Sequence, residues 1–489
     1  MARMVDRSAL PAACVLVIAV VAACDSSGTL VPTDAGGTDT STPDAAPDAA
    51  VAGVRVVTHS AAAYPHYESI QAAVTAASPR DFILIDVGTY DEQVVITTPG
   101  LHLRGMDRNG VVVDGRHQVG DGIVVSKADG VIIENLTVHD FDRVDLDGDH
   151  GNQIWWNGGD GSGTIGLQGW SGSYLTAYST DLLGGYGIFI SNSVSGTLDQ
   201  VYASGFNDAG LYVGACRDCQ AVISHALVEN NALGYSGTNS GGHLVIRDSV
   251  FQKNSNGIVP NSLNNDDQPP PQDGACDSGM NTSPIPTFAS TQIDRCTIFQ
   301  NNIVTNNGNF TTPADSTAAA VPWGNGFVLA GTYADLLDSN MITNNPSSGV
   351  LGTENPDPFP PTSQTVYFQL AGNQISNNTF SGNATNSDPS AADVVLLGGV
   401  FGQMLSTNNC ATGNTFTRTV PPNLQGAWNC SNMTTPNPGS AALSFVLALQ
   451  TASQARKSVP QPAPPAQPTM PNPCSGVPSN PLCGSDGGP

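Results

Sequence analysis

The sequence predicts an all-β solenoid, a stack of parallel β-coils, and three observations predict it. First, a Gly followed by an apolar residue recurs at near-constant spacing. Gly187-Ile188, Gly210-Leu211, Gly234-Tyr235 and Gly257-Ile258 stand 23, 24 and 23 residues apart, and Gly326-Phe327 to Gly349-Val350 adds another 23. A period in this range marks a unit that buries its apolar face only by stacking on its neighbours. Second, the apolar residues within a unit alternate with period 2. In GIFISNS, Ile188 and Ile190 share one face and Phe189 and Ser191 the other, and Leu211 and Val213 repeat the inward pair. Third, there is no room for crossover helices. The strands are short and close, units end in Asn (Asn230-Asn231, Asn254, Asn301-Asn302, Asn344-Asn345, Asn377-Asn378), and Gly 53 with Pro 35 favours turns. The crossover is therefore strand and turn, which makes the fold a single-chain parallel β-helix. Asn side chains at equivalent turns can bond to one another along the stack.

The chain begins with an export signal. Arg3 and Arg7 precede an apolar run from Leu10 to Ala23, too short to span a bilayer. The run ends in Val21-Ala22-Ala23-Cys24, which resembles a bacterial lipobox. The resemblance implies cleavage of residues 1–23 and acylation of Cys24, hence an exported lipoprotein held at a membrane surface of the cell envelope. Residues 24–53 are Asp, Thr, Ala, Pro and Gly and read as a tether. The β-helix follows over 54–435, interrupted by loops at 140–164, 261–290 and 353–366. Upstream of the clear repeats, Gly122-Ile123 to Gly166-Leu167 spans 44 residues, read as two steps of 22, which sets Val144 in the opening-strand register. Gly257 to Gly326 spans 69, the length of three periods. Residues 440–457 carry Leu443, Val446, Leu447 and Leu449 near one stripe and read as a helix capping the C-terminal end. The remainder of 436–489 is a Pro-rich tail, unstructured on this reading apart from a Cys474–Cys483 link.

Eight cysteines remain past the signal: Cys216, Cys219, Cys276, Cys296, Cys410, Cys430, Cys474 and Cys483. An even number in an exported chain favours disulfides. A solenoid keeps sequence neighbours close in space, so pairing between neighbours is expected. Cys216-Arg217-Asp218-Cys219 has no second C-x-x-C to complete a zinc site, and reads as a structural disulfide.

At the start of the folded region the chain reads Tyr67-Glu68-Ser69-Ile70-Gln71-Ala72-Ala73-Val74, then SPRDFILIDVGTYDEQVVI and LHLRGMDRNGVVVDG. Here it resembles the pectate-lyase-like superfamily. The resemblance covers about 54–430 and implies a right-handed β-helix. It also implies a short capping helix near Glu68–Ala77 and a turn of the G-T-Y-x-E type at Gly88-Thr89-Tyr90-Asp91-Glu92. Such a helix plugs the first coil, because an open solenoid end exposes core and strand edge. This fold hosts lyases, hydrolases, esterases, epimerases and proteins without known activity, so it does not name a reaction.

The densest candidate for chemistry is Asp140-Phe141-Asp142-Arg143-Val144-Asp145-Leu146-Asp147-Gly148-Asp149-His150. Five Asp in ten positions suit a hard cation bound through oxygens, and Asp145, Asp147 and Asp149 are the candidate calcium ligands. Lyases and epimerases of this fold need a base, a cation on the uronate carboxylate and a proton donor. The residues placed to serve are Asp147, Asp149, His150 and Arg143. Epimerase-like members carry Asp-Pro-His-Asp on an equivalent strand, whereas the order here is Asp147-Gly148-Asp149-His150. Trp155 and Trp156, with Asn261 and Asp266, are the candidate sugar-binding residues: aromatic faces stack on sugar rings and amides bond to hydroxyls. The same residues read structurally as a solvated acidic loop, aromatics packed on the solenoid wall and polar turns.

With 16 Lys+Arg against 41 Asp+Glu, the formal charge is −25, and losing Arg3, Asp6 and Arg7 makes it one unit more negative. That excludes a non-specific nucleic-acid binder and disfavours electrostatic docking on anionic lipid. The expected partner is polysaccharide, the expected cofactor calcium or none, the only membrane contact the acyl anchor, and the expected state a monomer. Three functions stay open: binding or processing of polysaccharide, a calcium-dependent lyase or epimerase, and a non-catalytic structural or adhesive surface protein.

Overall fold

The computed structural model describes residues 53–145, 150–160, 162–216, 218–263, 296–313, 318, 321–356, 367–398, 406–431, 443–455 and 457–484. Each coil contributes a strand to each of three faces, and every pairing within these faces is parallel. The first face starts at Val54–Val57 and ends at Cys410–Thr412; the second runs from Gly88–Tyr90 to Thr379–Ser381. They merge into one sheet because Val131–Asp142 and Leu167–Tyr178 bend around the corner between them. The third face stacks eleven strands, from Val94–Ile96 to Thr419–Val420.

The period-2 pattern sets the core. Along the third face Ile123, Ile154, Ile188, Leu211, Tyr235, Ile258, Phe327 and Val350 lie in one column, each paired with the next and each fully buried. The glycine before each apolar residue has a steric cause. A Cβ on Gly234 would lie 2.4 Å from the Gly257 carbonyl oxygen and 2.8 Å from Asn254 Nδ2, so the coils could not close to strand spacing. At the corner between the second and third faces, Asn231, Asn254, Asn307, Asn345 and Asn383 form a ladder. The Oδ1 of each accepts both the backbone N–H and the Nδ2 of the one before, at 3.0–3.2 Å. Asn302, Asn340, Asn378 and Asn414 repeat the arrangement between the first and second faces. Asn231, Asn254, Asn302, Asn345 and Asn378 are among the asparagines that end units in the sequence; Asn307, Asn340, Asn383 and Asn414 complete the ladders. All but the half-buried Asn383 are buried, and they satisfy backbone donors that a tight corner leaves without a sheet partner.

The N-terminal plug forms as expected. Helix α1 (Ile70–Thr75) is capped by Ser69 and buries Ile70, Ala73 and Val74. Glu92 of the G-T-Y-x-E turn accepts the backbone N–H groups of Ile70 (2.7 Å) and Gln71 (2.9 Å), so the turn fastens the helix and places an anion at its first turn.

Four expectations are corrected. The partner of Ile123 is Ile154, 31 residues on, so Val144 is not in the opening-strand register; it is 64% exposed in a turn. Leu167 belongs to the first face, where it pairs with Ser193. Ile258 pairs directly with Phe327, so the 69-residue interval is one coil with a long insertion. The insertion, including Asp266 and Cys276, lies largely outside the described residues, as do the tips of the other two loops. The fourth correction concerns the C-terminus. The end of the core is closed by helix α2 (Leu424–Ala427) with Leu424 and Trp428, held by the Cys410–Cys430 disulfide. Helix α3 (Leu443–Gln454) instead lies on the outside of the third face, where Phe445, Val446 and Leu449 cover Val321, Val328, Leu351 and Val395. Those outward residues are apolar, and burying them is what docks the helix.

The Pro-rich tail is built into the fold too. It runs back along the solenoid to the first coils. Gln461 Nε2 donates to the Thr311 carbonyl (2.8 Å), Arg108 Nη1 to the Pro468 carbonyl (3.0 Å), and Arg104 Nη1 to the carbonyls of Pro473 (3.0 Å) and Ser475 (2.7 Å). Its Cys474–Cys483 disulfide sits on Leu84 and Phe82, outward residues of the first face. Proline lowers the entropy lost on docking, and the first coils supply apolar surface and guanidinium donors. Cys216 pairs with Cys219, and the neighbour pairing expected from the solenoid holds for these three disulfides. Cys296 is disulfide-bonded as well.

Candidate functional site

On the second face Val113, Val138, Ala177, Ala203 and Val228 point into the core, so the residues after them point out. Register places those in one row: Asp114, His139, Tyr178, Ser204, Glu229 and Gln252, then Thr305, Thr343 and Ser381. Every member is polar or a phenol. Gln252 donates to Glu229 (2.8 Å), the Thr305 and Thr343 hydroxyls meet at 2.8 Å, and the Tyr178 ring stacks on His139 at 4.5 Å between centroids.

At its N-terminal end the row meets a cluster of carboxylates and imidazoles. His139-Asp140-Phe141-Asp142 turns the corner, with Phe141 buried inward and Asp140 at φ +56°. Asp140 Oδ1 accepts the backbone N–H (2.7 Å) and hydroxyl (3.0 Å) of Thr180, and its Oδ2 lies 2.9 Å from His139 Nδ1. Asp114 approaches the same imidazole at 3.7 Å. His117, at the register shift of the strand Val111–Val119 in the preceding coil, sets Nδ1 3.2 Å from Asp181 Oδ2 and 3.6 Å from Asp142 Oδ2, and its Nε2 3.9 Å from Asp140 Oδ2. The strand can approach this far because residue 115 is glycine. A Cβ there would lie 2.3 Å from the Asp140 carbonyl oxygen.

Charge in this cluster is strongly perturbed. Burial, the neighbouring Asp181 carboxylate and Asp140 push Asp142 up to about 7, against the opposing pull of His117. Burial works against the imidazolium of His117, but Asp140, Asp142 and Asp181 together raise its pKa. Burial also disfavours charge on Asp140, yet the hydrogen bonds from His139 and Thr180 hold it below the usual carboxylate range. Such perturbation concentrates where carboxylates crowd in a half-buried site.

The residues expected from sequence are distributed differently. Arg143 and His150 close the base of the 144–149 loop through an antiparallel bridge. Arg143 is buried, its guanidinium over the Tyr186 ring at 5.2 Å and 3.5 Å from Asp208, so it is a wall residue rather than an available base. His150 pairs with Asp121 (2.9 Å), which also accepts the N–H and Nδ2 of Asn152. Asp145 lies in the exposed turn; Asp147 and Asp149 lie outside the described residues, and so does Asp266. Trp156 is corrected outright. It is fully buried in the core beside Trp170, so no sugar can stack on it. Trp155 points outward on the third face, half-buried against Phe189, with Nε1 donating to Ser191 (3.0 Å). Asn261 is 2% exposed and donates to the Val259 carbonyl, which makes it a strand residue rather than a ligand at the surface. His117, His139, Asp114 and Asp181 were not singled out from sequence. The only local signal was polar residues at outward positions of VVVDGRHQV and VIIENLTVHDFD, and what joins them is coil-to-coil register.

No family model matches this chain, and no curated protein does. Solved structures resemble it at low identity. The A-module of an Azotobacter vinelandii mannuronan C-5 epimerase matches with a TM-score of 0.44 and 15% identity over 72% of this chain and 82% of that one. A rhamnogalacturonan lyase matches at 0.46 and 11%, over 73% and 87%. The pectin methylesterase PemA of Erwinia chrysanthemi matches at 0.38 and 14%, over 70% and 92%. The parallel register of three faces carries the conclusion: by fold, this chain is a parallel β-helix protein.

Proposed function

We propose that this protein binds a polysaccharide along the outer side of its second face, with the Asp–His cluster as the place where the bound sugar is processed. The observation that carries the reading is the unbroken polar row ending in that cluster. Rungs about 4.8 Å apart each turn a polar group outward, Ser204 being the buried one. A polymer of hydroxylated rings can satisfy them in register, whereas a globular ligand uses only a few. The charge of −25 repels a polyanion from this surface, so a neutral polymer, or an anionic one carrying its own cations, fits best.

The test is binding of the mature chain to a panel of neutral and uronate polysaccharides, with and without calcium, followed by absorbance at the wavelength of unsaturated uronates. Binding to at least one polymer is expected, weakened about tenfold or more, or about 1.4 kcal/mol, by Tyr178→Ala and by Glu229→Ala. Trp155→Ala on the third face leaves it unchanged. Product absorbance that requires calcium would establish the lyase reading. Absence of binding across the panel would leave a structural or adhesive surface protein.

The proposed address is the cell envelope, through an acylated Cys24. Replacing Cys24 by Ala is expected to move the protein from the detergent-extracted membrane fraction to the soluble one and to abolish incorporation of labelled fatty acid. Membrane retention by the variant overturns the anchor.

A further inference from the structure

We infer that His117, Asp142 and Asp181 form a binding site for one divalent first-row transition metal, zinc being the metal that suits the donor set. This goes beyond the polysaccharide reading and does not depend on it. The three residues come from three chain segments, and one ligand atom of each lies within 4.8 Å of the others. His117 Nδ1 is 3.2 Å from Asp181 Oδ2 and 3.6 Å from Asp142 Oδ2. Donors bound to zinc at 2.0–2.2 Å in a tetrahedron stand about 3.4 Å apart, so the spacing needs little adjustment.

A second observation points to a ligand. The Asp142 side chain is 3% exposed, and its Oδ1 has no hydrogen-bond partner. A buried carboxylate short of donors is costly, and a cation held by Asp142 beside His117 and Asp181 would offset that cost. The surroundings hold the ligands in place. Asp181 Oδ1 is occupied by the Leu183 N–H (2.8 Å) and the Ser179 hydroxyl (3.2 Å), which leaves Oδ2 directed at His117. Asp140 Oδ2 faces His117 Nε2 at 3.9 Å, beyond hydrogen-bond distance, so it acts on the second ring nitrogen through charge alone while the first is turned to the other two carboxylates. The adjoining set Asp114, His139 and Asp140 is the weaker candidate, because the Asp140 oxygens already accept from Thr180 and His139.

An imidazole with two carboxylates favours zinc or its neighbours over calcium, which takes six to eight oxygens. Three protein ligands leave a fourth position, and it opens on the solvent side, since the His117 side chain is 47% exposed. The site therefore differs in its donors from the Asp145, Asp147 and Asp149 set.

The test is titration of the chelator-stripped mature chain with Zn2+ and separately with Ca2+ by calorimetry, and with Co2+ by visible absorption. One equivalent of Zn2+ is expected, at least 100-fold tighter than Ca2+, with a Co2+ spectrum of the tetrahedral type. His117→Ala and Asp181→Asn should each weaken Zn2+ at least 100-fold with unchanged far-ultraviolet circular dichroism. Asp142→Asn tests the buried oxygen, and the exposed His117 keeps the test valid should that variant fail to fold. His225→Ala, at the exposed His225–Asp199 pair, should bind as the wild type does. Equal zinc affinity in His117→Ala and wild type, tighter Ca2+ than Zn2+, or no zinc binding overturns the site. Polymer binding by the stripped protein is scored separately, so either proposal can fail alone.

Discussion

Replacing Trp156 by Ala is expected to destabilise the protein by about 3–5 kcal/mol, the usual cost of emptying a buried aromatic site. The ring is fully buried, 6.0 Å from Trp170, and its Nε1 donates to the Val131 carbonyl. A Cβ on Gly172 of the next coil would lie 3.1 Å from it, so the neighbouring coil is packed down onto the indole and cannot collapse far into the space it leaves. The same change at Trp155 removes a half-buried ring from the outer surface and is expected to cost roughly 1 kcal/mol, in proportion to the apolar area it covers. Urea unfolding of the two variants, followed by circular dichroism, checks the contrast. Similar losses in both would contradict the assignment of one ring to the core and its neighbour to the outside. Two adjacent tryptophans with opposite fates are what period 2 requires.

The second large effect concerns Glu134, under the docked tail. Its carboxylate accepts from Arg104 Nε (2.8 Å) and the Ser173 hydroxyl (3.1 Å) and contacts the His102 ring. Arg104 in turn donates to two carbonyls of the tail. Burial alone would raise the pKa of Glu134, but His102 and Arg104 outweigh it and hold it down to about 2, from an ordinary 4.5. A folded-state pKa below the unfolded one contributes stability that is present above pH 4.5 and is lost as pH falls toward 2. The shift corresponds to about 3 kcal/mol. Glu134→Gln is therefore expected to cost on that order at pH 7, through the lost carboxylate and the buried guanidinium left behind. The deficit should shrink steadily between pH 4.5 and pH 2, and limited proteolysis should release the tail from the variant first. A deficit that does not vary with pH would show that the charge of Glu134 is not what holds Arg104.

The fold was legible wherever the coil length stayed constant. From Gly187 to Gly257, and again from Gly326 to Gly349, the Gly-apolar pairs fall on one face in the expected order. A solenoid contact is made between residues one period apart, so local alternation and spacing carry most of the information. Reading failed where the period changed. The coil holding Ile154 is 31 residues beyond Ile123, and that left Val144 and Asp145 in a turn after the strand Val131–Asp142 instead of in an opening strand. Asp140 and Asp142 stood in the acidic run, but their partners Asp114, His117, His139 and Asp181 escaped for the same reason. Asp114, His139 and Tyr178 pair in regular register but at coil spacings of 25 and 39 residues, and His117 comes beside Asp142 through the register shift between Asp114 and Gln118.

Alternation and spacing, read off the chain alone, were enough to specify a stacked β-coil, its inward column and its asparagine corners, because each depends on contacts between successive turns of the same repeat; the N-terminal plug was implied by the resemblance of the first folded segment to the pectate-lyase-like superfamily. Which carboxylates and imidazoles share a site, which tryptophan faces outward, and that a proline-rich tail returns hundreds of residues to fasten Arg104 and Arg108 were settled in three dimensions only. Those contacts join segments of unequal spacing, and no periodic signal links a side chain to a partner that irregular coil lengths or a reversed chain direction brings beside it.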